Sequence, residues 1–321
     1  MTKTYLALTA LLLAPFSAHA ITWNLNSSNS ATCLNGCTAA SSSGTAAQTF
    51  ATAGGPNLNV AAVSTGSTLT AANAGSAASK FGTATLAMYG SNGLGVTAAK
   101  FDGTIGSVPD HAFDNDGVAT TATNQDGVQY TAGGVSYNTT SDYGTDGAVD
   151  AGLFSFANSV KLTDISVGYI SGDADISILA YTGALNADGS IPTASAILGK
   201  SFSQLLANSW AFIGNYSISA TNTAKTINNG LNTTDGTPVS SSYWLISAYT
   251  SAAGTNKTGG DTSVNFGNDY FKISSVSGVA STGGNGGSGN TGSVPEPTSL
   301  LLLASGMLGW RMNRKSSALA A

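Results

Sequence analysis

Few residues in this 321-residue chain can do chemistry, and their spacing narrows what chemistry remains. Histidine occurs twice, at His19 and His111, and only His111 lies beyond the apolar leader at the start of the chain. A Ser-His-Asp hydrolase would have to use His111 as its base. No Gly-x-Ser-x-Gly elbow accompanies it, and serine is too frequent for spacing to single out a nucleophile. A loop histidine bonded to Asp110 or Asp114 is the simpler reading. Glutamate occurs once, at Glu296, so a glycosidase pair would need two aspartates. The expectation is a protein that is not an enzyme.

The densest set of oxygen donors is Asp110, Asp114, Asn115, Asp116 and Asp126. Asp-Asn-Asp-Gly at 114–117 alternates hard ligands and ends on a glycine turn, as calcium loops do. No glutamate follows to close the shell in a bidentate manner. A structural Ca2+ held by Asp110, Asp114, Asp116 and Asp126 is one reading, and solvated Asn/Asp/Gly turns without an ion are the other. No further cofactor is expected. Asp173 and Asp175 flank a second turn. The two cysteines, Cys33 and Cys37, enclose Leu-Asn-Gly, whose Asn35-Gly36 supplies a tight turn. A local disulfide is the favoured reading, because a redox pair wants two intervening residues and a metal site wants further ligands. Tyr169, Tyr181, Trp210, Tyr243 and Trp244 could stack on sugar rings, although each lies in a strand-like run where burial is the commoner fate. Five Asn-x-Ser/Thr sequons, at Asn26, Asn138, Asn215, Asn232 and Asn256, carry no functional weight in a chain so rich in these residues.

The elements that must position these residues read as β-structure. Charged residues make up only 8% of the chain against about 25% in ordinary soluble domains, and 40 residues are glycine. Hydroxyls and amides, not charges, must keep such a surface wet, as in extracellular β-proteins. Within 21–293, seven lysines against fifteen aspartates leave a net charge of −8, which argues against nucleic-acid binding. Met1 to Ala20 has Lys3, an apolar run from Tyr5 to Ala14 and a closing Ala18-His19-Ala20, the pattern of a secretory signal peptide cut before Ile21. Residues 21–56 form a low-complexity segment around the Cys33–Cys37 loop.

Strand patterns begin at 57. Leu58–Val63, Phe81–Tyr89 and Leu94–Ala99 are the first, with Gly90–Gly93 as a hairpin turn. Leu153–Phe156 and Val160–Ile170 follow, with a change of alternation phase at Thr163–Asp164 that predicts a bulge. Asp175–Tyr181 is expected to return as their hairpin partner after Ser171–Asp173. Trp210–Ser219, Tyr243–Tyr249 and Asp269–Val276 complete the set, with one or two helical turns over Ser203–Asn208. Many short strands and no long helix predict an all-β body over 57–277, a β-sandwich or jelly roll. A parallel β-helix is the alternative, disfavoured because no fixed-period repeat runs through 57–276.

Residues 278–293 (Gly-Val-Ala-Ser-Thr-Gly-Gly-Asn-Gly-Gly-Ser-Gly-Asn-Thr-Gly-Ser) read as a linker. The stretch 294–321 has its own alphabet: the sole Glu296 between Pro295 and Pro297, then a Leu-rich run, then Arg311, Arg314 and Lys315, with the only arginines of the chain. Thr298 to Trp310 as a helix covers only about 20 Å, short of the roughly 30 Å hydrocarbon core. A short apolar helix closed by a basic cluster suits transient insertion held while something is cut. A simple C-terminal membrane anchor is the plainer alternative.

Val-Pro-Glu-Pro, the Leu-rich run with Gly306 and Gly309, and Arg-Met-Asn-Arg-Lys together resemble the PEP-CTERM sorting signal. The resemblance implies processing by exosortase, a membrane transpeptidase-like enzyme of Gram-negative bacteria. It further implies cleavage near Pro295–Pro297 and release to the cell surface or the exopolysaccharide matrix. The order of Val108–Asp116, Gly152–Thr163 and Gly168–Tyr181 is also similar to exosortase-dependent surface proteins with a DHA-x-DN segment before a strand pair. The function expected is a structural or adhesive surface or matrix protein of the biofilm, exported by way of signal peptidase. A lectin-like carbohydrate-binding module, with or without Ca2+, is the second reading, and a secreted hydrolase using His111 the third.

Overall fold

The computed structural model describes residues 20–26, 33–35, 45–65, 80–97, 112–114, 130–132, 135–137, 149–257, 261, 263–264 and 269–281. The leader over 1–19 and the sorting signal over 294–321, with the helices expected there, lie outside the described residues, as does the linker beyond Ser281. Residues 278–280, read from the sequence as the start of that linker, instead form the end of the last strand, paired with Val160–Leu162. Of the described residues, 50% are in strands, almost none are helical, and the strands make a curled antiparallel sheet. Hydroxyl-rich, β-branched segments broken by Gly and Asn turns favour extended backbone over helix.

The first strands are β1 (Ile21–Asn24), β2 (Cys33–Asn35), β3 (Ala47–Phe50), β4 (Leu58–Ser64), β5 (Gly82–Thr83), β6 (Thr85–Met88) and β7 (Leu94–Thr97). Then come β8 (Phe113–Asp114), β9 (Tyr130–Ala132), β10 (Val135–Tyr137), β11 (Asp150–Ile170) and β12 (Asp175–Tyr181). The last are β13 (Trp210–Ser217), β14 (Lys225–Thr226), β15 (Ser241–Ala248) and β16 (Tyr270–Ala280). The main path of the sheet runs β13-β12-β15-β11-β16-β7-β6, and β9 and β10 pair with each other.

The 21-residue β11 organises this sheet. Its first half pairs with β4 on one edge and β15 on the other; its second half pairs with β16 and, briefly, β14. The register shifts between Leu162 and Asp164. Buried positions are Phe154, Phe156, Val160 and Leu162 before the shift, and Ile165 and Val167 after it. One extra residue flips every later side chain to the other face, so the bulge keeps the apolar residues inward along the whole strand. This is the bend that the alternation phase at Thr163–Asp164 predicts.

One expectation is overturned. β12 does not return beside β11; its neighbours are β13 and β15. Both edges of β11 are already filled, so the chain leaving Ile170 has no place to pair there and joins the far edge of β15. Among the described residues the single helix of more than one turn, α1 (Phe202–Leu206), starts from a capping box in which Ser201 and Gln204 bond reciprocally. It buries Phe202 and Leu205.

The segment before residue 57 is built into the same sheet. β1 pairs with β16 and β3 with β4. Trp23 and Phe50 are fully buried in one apolar cluster with Phe154, Trp244 and Phe271. Trp23 meets Phe156 edge-to-face at 4.9 Å and donates its indole N–H to the Pro56 carbonyl at 2.8 Å. Each such side chain contributes about 1.5–3 kcal/mol by leaving water.

Candidate functional site

The residues singled out in the sequence fall unevenly on this fold. Pro295, Glu296, Pro297, Arg311, Arg314 and Lys315 lie outside the described residues, as do Asp110, His111, Asp116 and Asp126. Asp114 is described: it is buried in β8, opposite Tyr270 of β16. Cys33 is disulfide-bonded, and Cys37, the other cysteine of the chain, lies outside the described residues.

Two carboxylates from one turn and a third from nearly a hundred residues later meet near the end of β11. Asp173, Asp175 and Asp269 bring oxygens to within 4.8 Å of one another. The turn after β11 sets the first two, and a parallel bridge from Asp173 to Asp269 brings in the third. Asp175 and Asp269 are buried. Asp269 Oδ1 accepts the Asp175 N–H at 2.7 Å, and Asp173 Oδ1 accepts the Ala174 N–H at 2.8 Å. Tyr270 N–H donates to the Asp173 carbonyl at 3.1 Å, and Ser171 N–H to the Tyr270 carbonyl at 2.9 Å. The Asp269 carboxylate therefore already serves as a backbone acceptor that ties β12 to the start of β16, and the Asp173 carboxylate as one within the turn. The same oxygens are the hard donor type that a divalent cation such as Ca2+ takes, with backbone carbonyls completing its six to eight ligands. Asp173 and Asp175 stood out in the sequence; Asp269, nearly a hundred residues later, had no local signal.

Beside this cluster, Lys272 of β16 is buried with its ammonium over three tyrosine rings. Its Nζ lies 4.8 Å from the Tyr89 centroid, 4.4 Å from Tyr169 and 4.9 Å from Tyr270. Tyr169 and Tyr270 pack edge-to-face at 5.9 Å. Three strands build the group: Tyr89 follows β6, Tyr169 lies in β11, and Tyr270 and Lys272 lie in β16. Partly desolvated cation–π contacts of this kind are worth about 1–2 kcal/mol each. Tyr169 is 36% exposed, so the group opens to solvent on the Tyr169 side. A lone lysine between Phe271 and Ile273 was the available signal for this site, since a charge in an apolar strand needs a partner.

The other aromatic candidates are structural. Trp210 and Trp244 are buried and donate their indole N–H groups to the Ser195 and Ser241 carbonyls at 2.9 and 3.0 Å. Tyr181 donates to the Ala184 carbonyl at 2.9 Å. Tyr243, half-buried, donates to the Gly189 carbonyl at 2.9 Å.

Among the described residues no helix is long and apolar enough to cross a membrane. Comparison with curated proteins and with solved structures finds no match for the chain. Residues 293–315 match the family described as the PEP-CTERM protein-sorting motif. This is the stretch whose Pro-Glu-Pro, apolar run and basic cluster stand apart from the rest. The motif implies exosortase-dependent sorting towards the cell surface or extracellular space, and the chain is a β-sheet protein that carries a PEP-CTERM sorting motif.

Proposed function

We propose that this chain is a secreted, non-enzymatic surface or extracellular-matrix protein, a structural or adhesive component of exopolysaccharide or biofilm. The observation that carries this reading is the PEP-CTERM motif at 293–315, set off from the body by a Gly/Ser/Asn linker. Signal peptidase removes the leader, and the apolar tail sits transiently in the inner membrane until exosortase cuts near Pro295–Pro297. The pairing of β1 with β16 supports such handling. Ile21 lies opposite Gly278, so the leader junction and the linker leave the body side by side. A folded body can then hang from one side by both tails. The linker from 282 to 293 reaches about 40 Å when extended. The curled sheet around one apolar cluster fits a sandwich or jelly-roll body.

The test is to compare the native host with and without its exosortase. The released protein is expected to lack every residue after the cleavage point, and the mutant to retain full-length chain in its membrane fraction. An extracellular form still bearing Arg311–Lys315 would sink the sorting reading.

A second reading, a carbohydrate-binding module, is favoured by the Tyr169–Tyr270 pair, which stands next to Asp114 of the acidic loop. Ca2+ held by Asp110, Asp114, Asp116 and Asp126 would order that loop beside the rings. A glycan array with and without Ca2+ decides it. Binding that Tyr169→Ala abolishes supports the module, and silence across the array in both conditions removes it.

A further inference from the structure

β13 ends the sheet: β12 pairs along one edge, and no described strand pairs along the other. An open strand edge is a template for another chain. Here its outward groups are met by side chains. Asn215 N–H donates to Asn256 Oδ1 at 2.8 Å, and the Asn215 carbonyl accepts from Asn256 Nδ2 at 2.8 Å. The Ile213 carbonyl accepts from Asn232 Nδ2 at 2.9 Å, and Ser217 N–H donates to Asp261 Oδ2 at 2.9 Å. A primary amide carries the same donor and acceptor as a peptide group, so Asn256 does for residue 215 what a neighbouring strand would do.

The capping side chains also hold one another. Asn232 Nδ2 donates to Asn256 Oδ1 at 3.3 Å, and Lys257 N–H donates to Asn232 Oδ1 at 2.8 Å. Lys225 Nζ pairs with Asp261 Oδ2 at 2.7 Å. Asn215, Asn232 and Asn256 are three of the five sequons, and each has its amide nitrogen bonded to a backbone carbonyl. Their frequency in this region thus has a structural cause.

The outward set on β13 is self-complementary. Ile213 offers an acceptor, Asn215 a donor and an acceptor, and Ser217 a donor. Two copies of β13 laid antiparallel about a two-fold through Asn215 place Asn215 against Asn215 and the Ile213 carbonyl against the Ser217 N–H. These are the groups that the caps occupy.

We propose that Asn232, Asn256 and Asp261 form a displaceable cap on β13, and that the partner it excludes is a second copy of this chain. With the cap displaced, β13 pairs with β13 antiparallel and the two sheets become continuous. This inference stands on the sheet edge alone and does not depend on how the tail is sorted.

The experiment uses the mature, secreted chain carrying Asn256→Ala with Asp261→Ala. Sedimentation velocity is expected to show a monomer for the wild type and a concentration-dependent dimer for the variant. In the dimer, hydrogen exchange at the Asn215 and Ser217 amides should slow at least about tenfold relative to the diluted monomer. Adding Ser217→Pro, which removes an outward donor, should return the variant to a monomer. If the double variant does not fold, Asn256→Asp, which keeps the acceptor and removes the donor, is read in the same way. A folded, uncapped variant that stays monomeric with fast exchange at both amides overturns the proposal. So does a dimer protected elsewhere while Asn215 and Ser217 still exchange.

Discussion

Trp23 decides whether the chain before residue 57 belongs to the folded body, and Trp23→Ala measures it. The indole is fully buried, contacts Phe156 edge-to-face and bonds the Pro56 carbonyl. Truncating a buried Trp to Ala costs about 3–5 kcal/mol in lost transfer and residual cavity. The Pro56 carbonyl adds little, because it is only partly buried and water can replace the indole N–H. A value of about 4 kcal/mol is a large share of the roughly 5–15 kcal/mol that holds a domain. For a body of this size it lowers the melting temperature by about 10 °C. Trp23→Phe keeps a ring against Phe156 and should cost about 1–2 kcal/mol. Urea unfolding of the mature protein, followed by circular dichroism so that loss of the fluorophore does not matter, gives both values. A Trp23→Ala loss below about 1 kcal/mol would mean that β1 is not part of the cooperative unit, and the pairing of Ile21–Asn24 with Ser275–Gly278 would carry no weight.

Three further outcomes follow from named contacts. Gly93 has φ of +102°, and a Cβ there would overlap the Ile273 backbone carbonyl, so Gly93→Ala should cost more than about 3 kcal/mol. Gly199→Ala, at φ +78° in open space, should cost only about 1 kcal/mol, and thermal melts of the two variants check the contrast. Burial tends to raise the Asp261 pKa, but Lys225, the Ser263 hydroxyl and the Ser217 and Ser263 N–H groups outweigh it and hold the carboxyl well below the usual carboxylate range. A lowered folded pKa stabilises above the unfolded value near about 3.9 and is lost as pH falls below it, so Asp261→Ala should flatten the acid limb of a stability–pH curve. Tyr216 nearby is pushed up to about 12 by burial, against the Asn228 N–H and with the Asp261 charge adding, and takes no part in that limb. Asp269→Ala removes the acceptor of the buried Asp175 N–H and should cost about 1–3 kcal/mol in chemical denaturation, whereas Asp269→Asn retains a carbonyl acceptor and should cost less.

Local patterns were legible where one stretch of chain contains its own cause. The phase change at Thr163–Asp164 announced the bulge of β11, because inward-facing residues must stay inward whatever the partner strand. Gly90–Gly93 announced the turn between β6 and β7. The neighbour of β12 was not legible, since hairpin proximity is only a default and the edges of β11 were already taken by β4, β15, β16 and β14. The low-complexity texture of 21–56 hid Trp23 and Phe50, whose burial depends on strands β16 and β4 far along the chain. Of the five aromatic candidates, Tyr169 is the most exposed and Tyr243 is half-buried; around Tyr169, Tyr89 comes from just past the end of β6 and Tyr270 and Lys272 both from β16.

The sequence by itself determined the β-class of the body, the bulge in its longest strand and the sorting tail. Each rests on residues close enough in the chain to act together: an alternation period, a turn pair, a Pro-Glu-Pro before an apolar run and a basic cluster. Only the tertiary structure decided that the chain's early residues join the sheet, that Asp269 meets Asp173 and Asp175, and that Asn232, Asn256 and Asp261 cover the open edge of β13. Those outcomes depend on which strand lies beside which, and strand order is set by competition for edges among segments far apart in the chain.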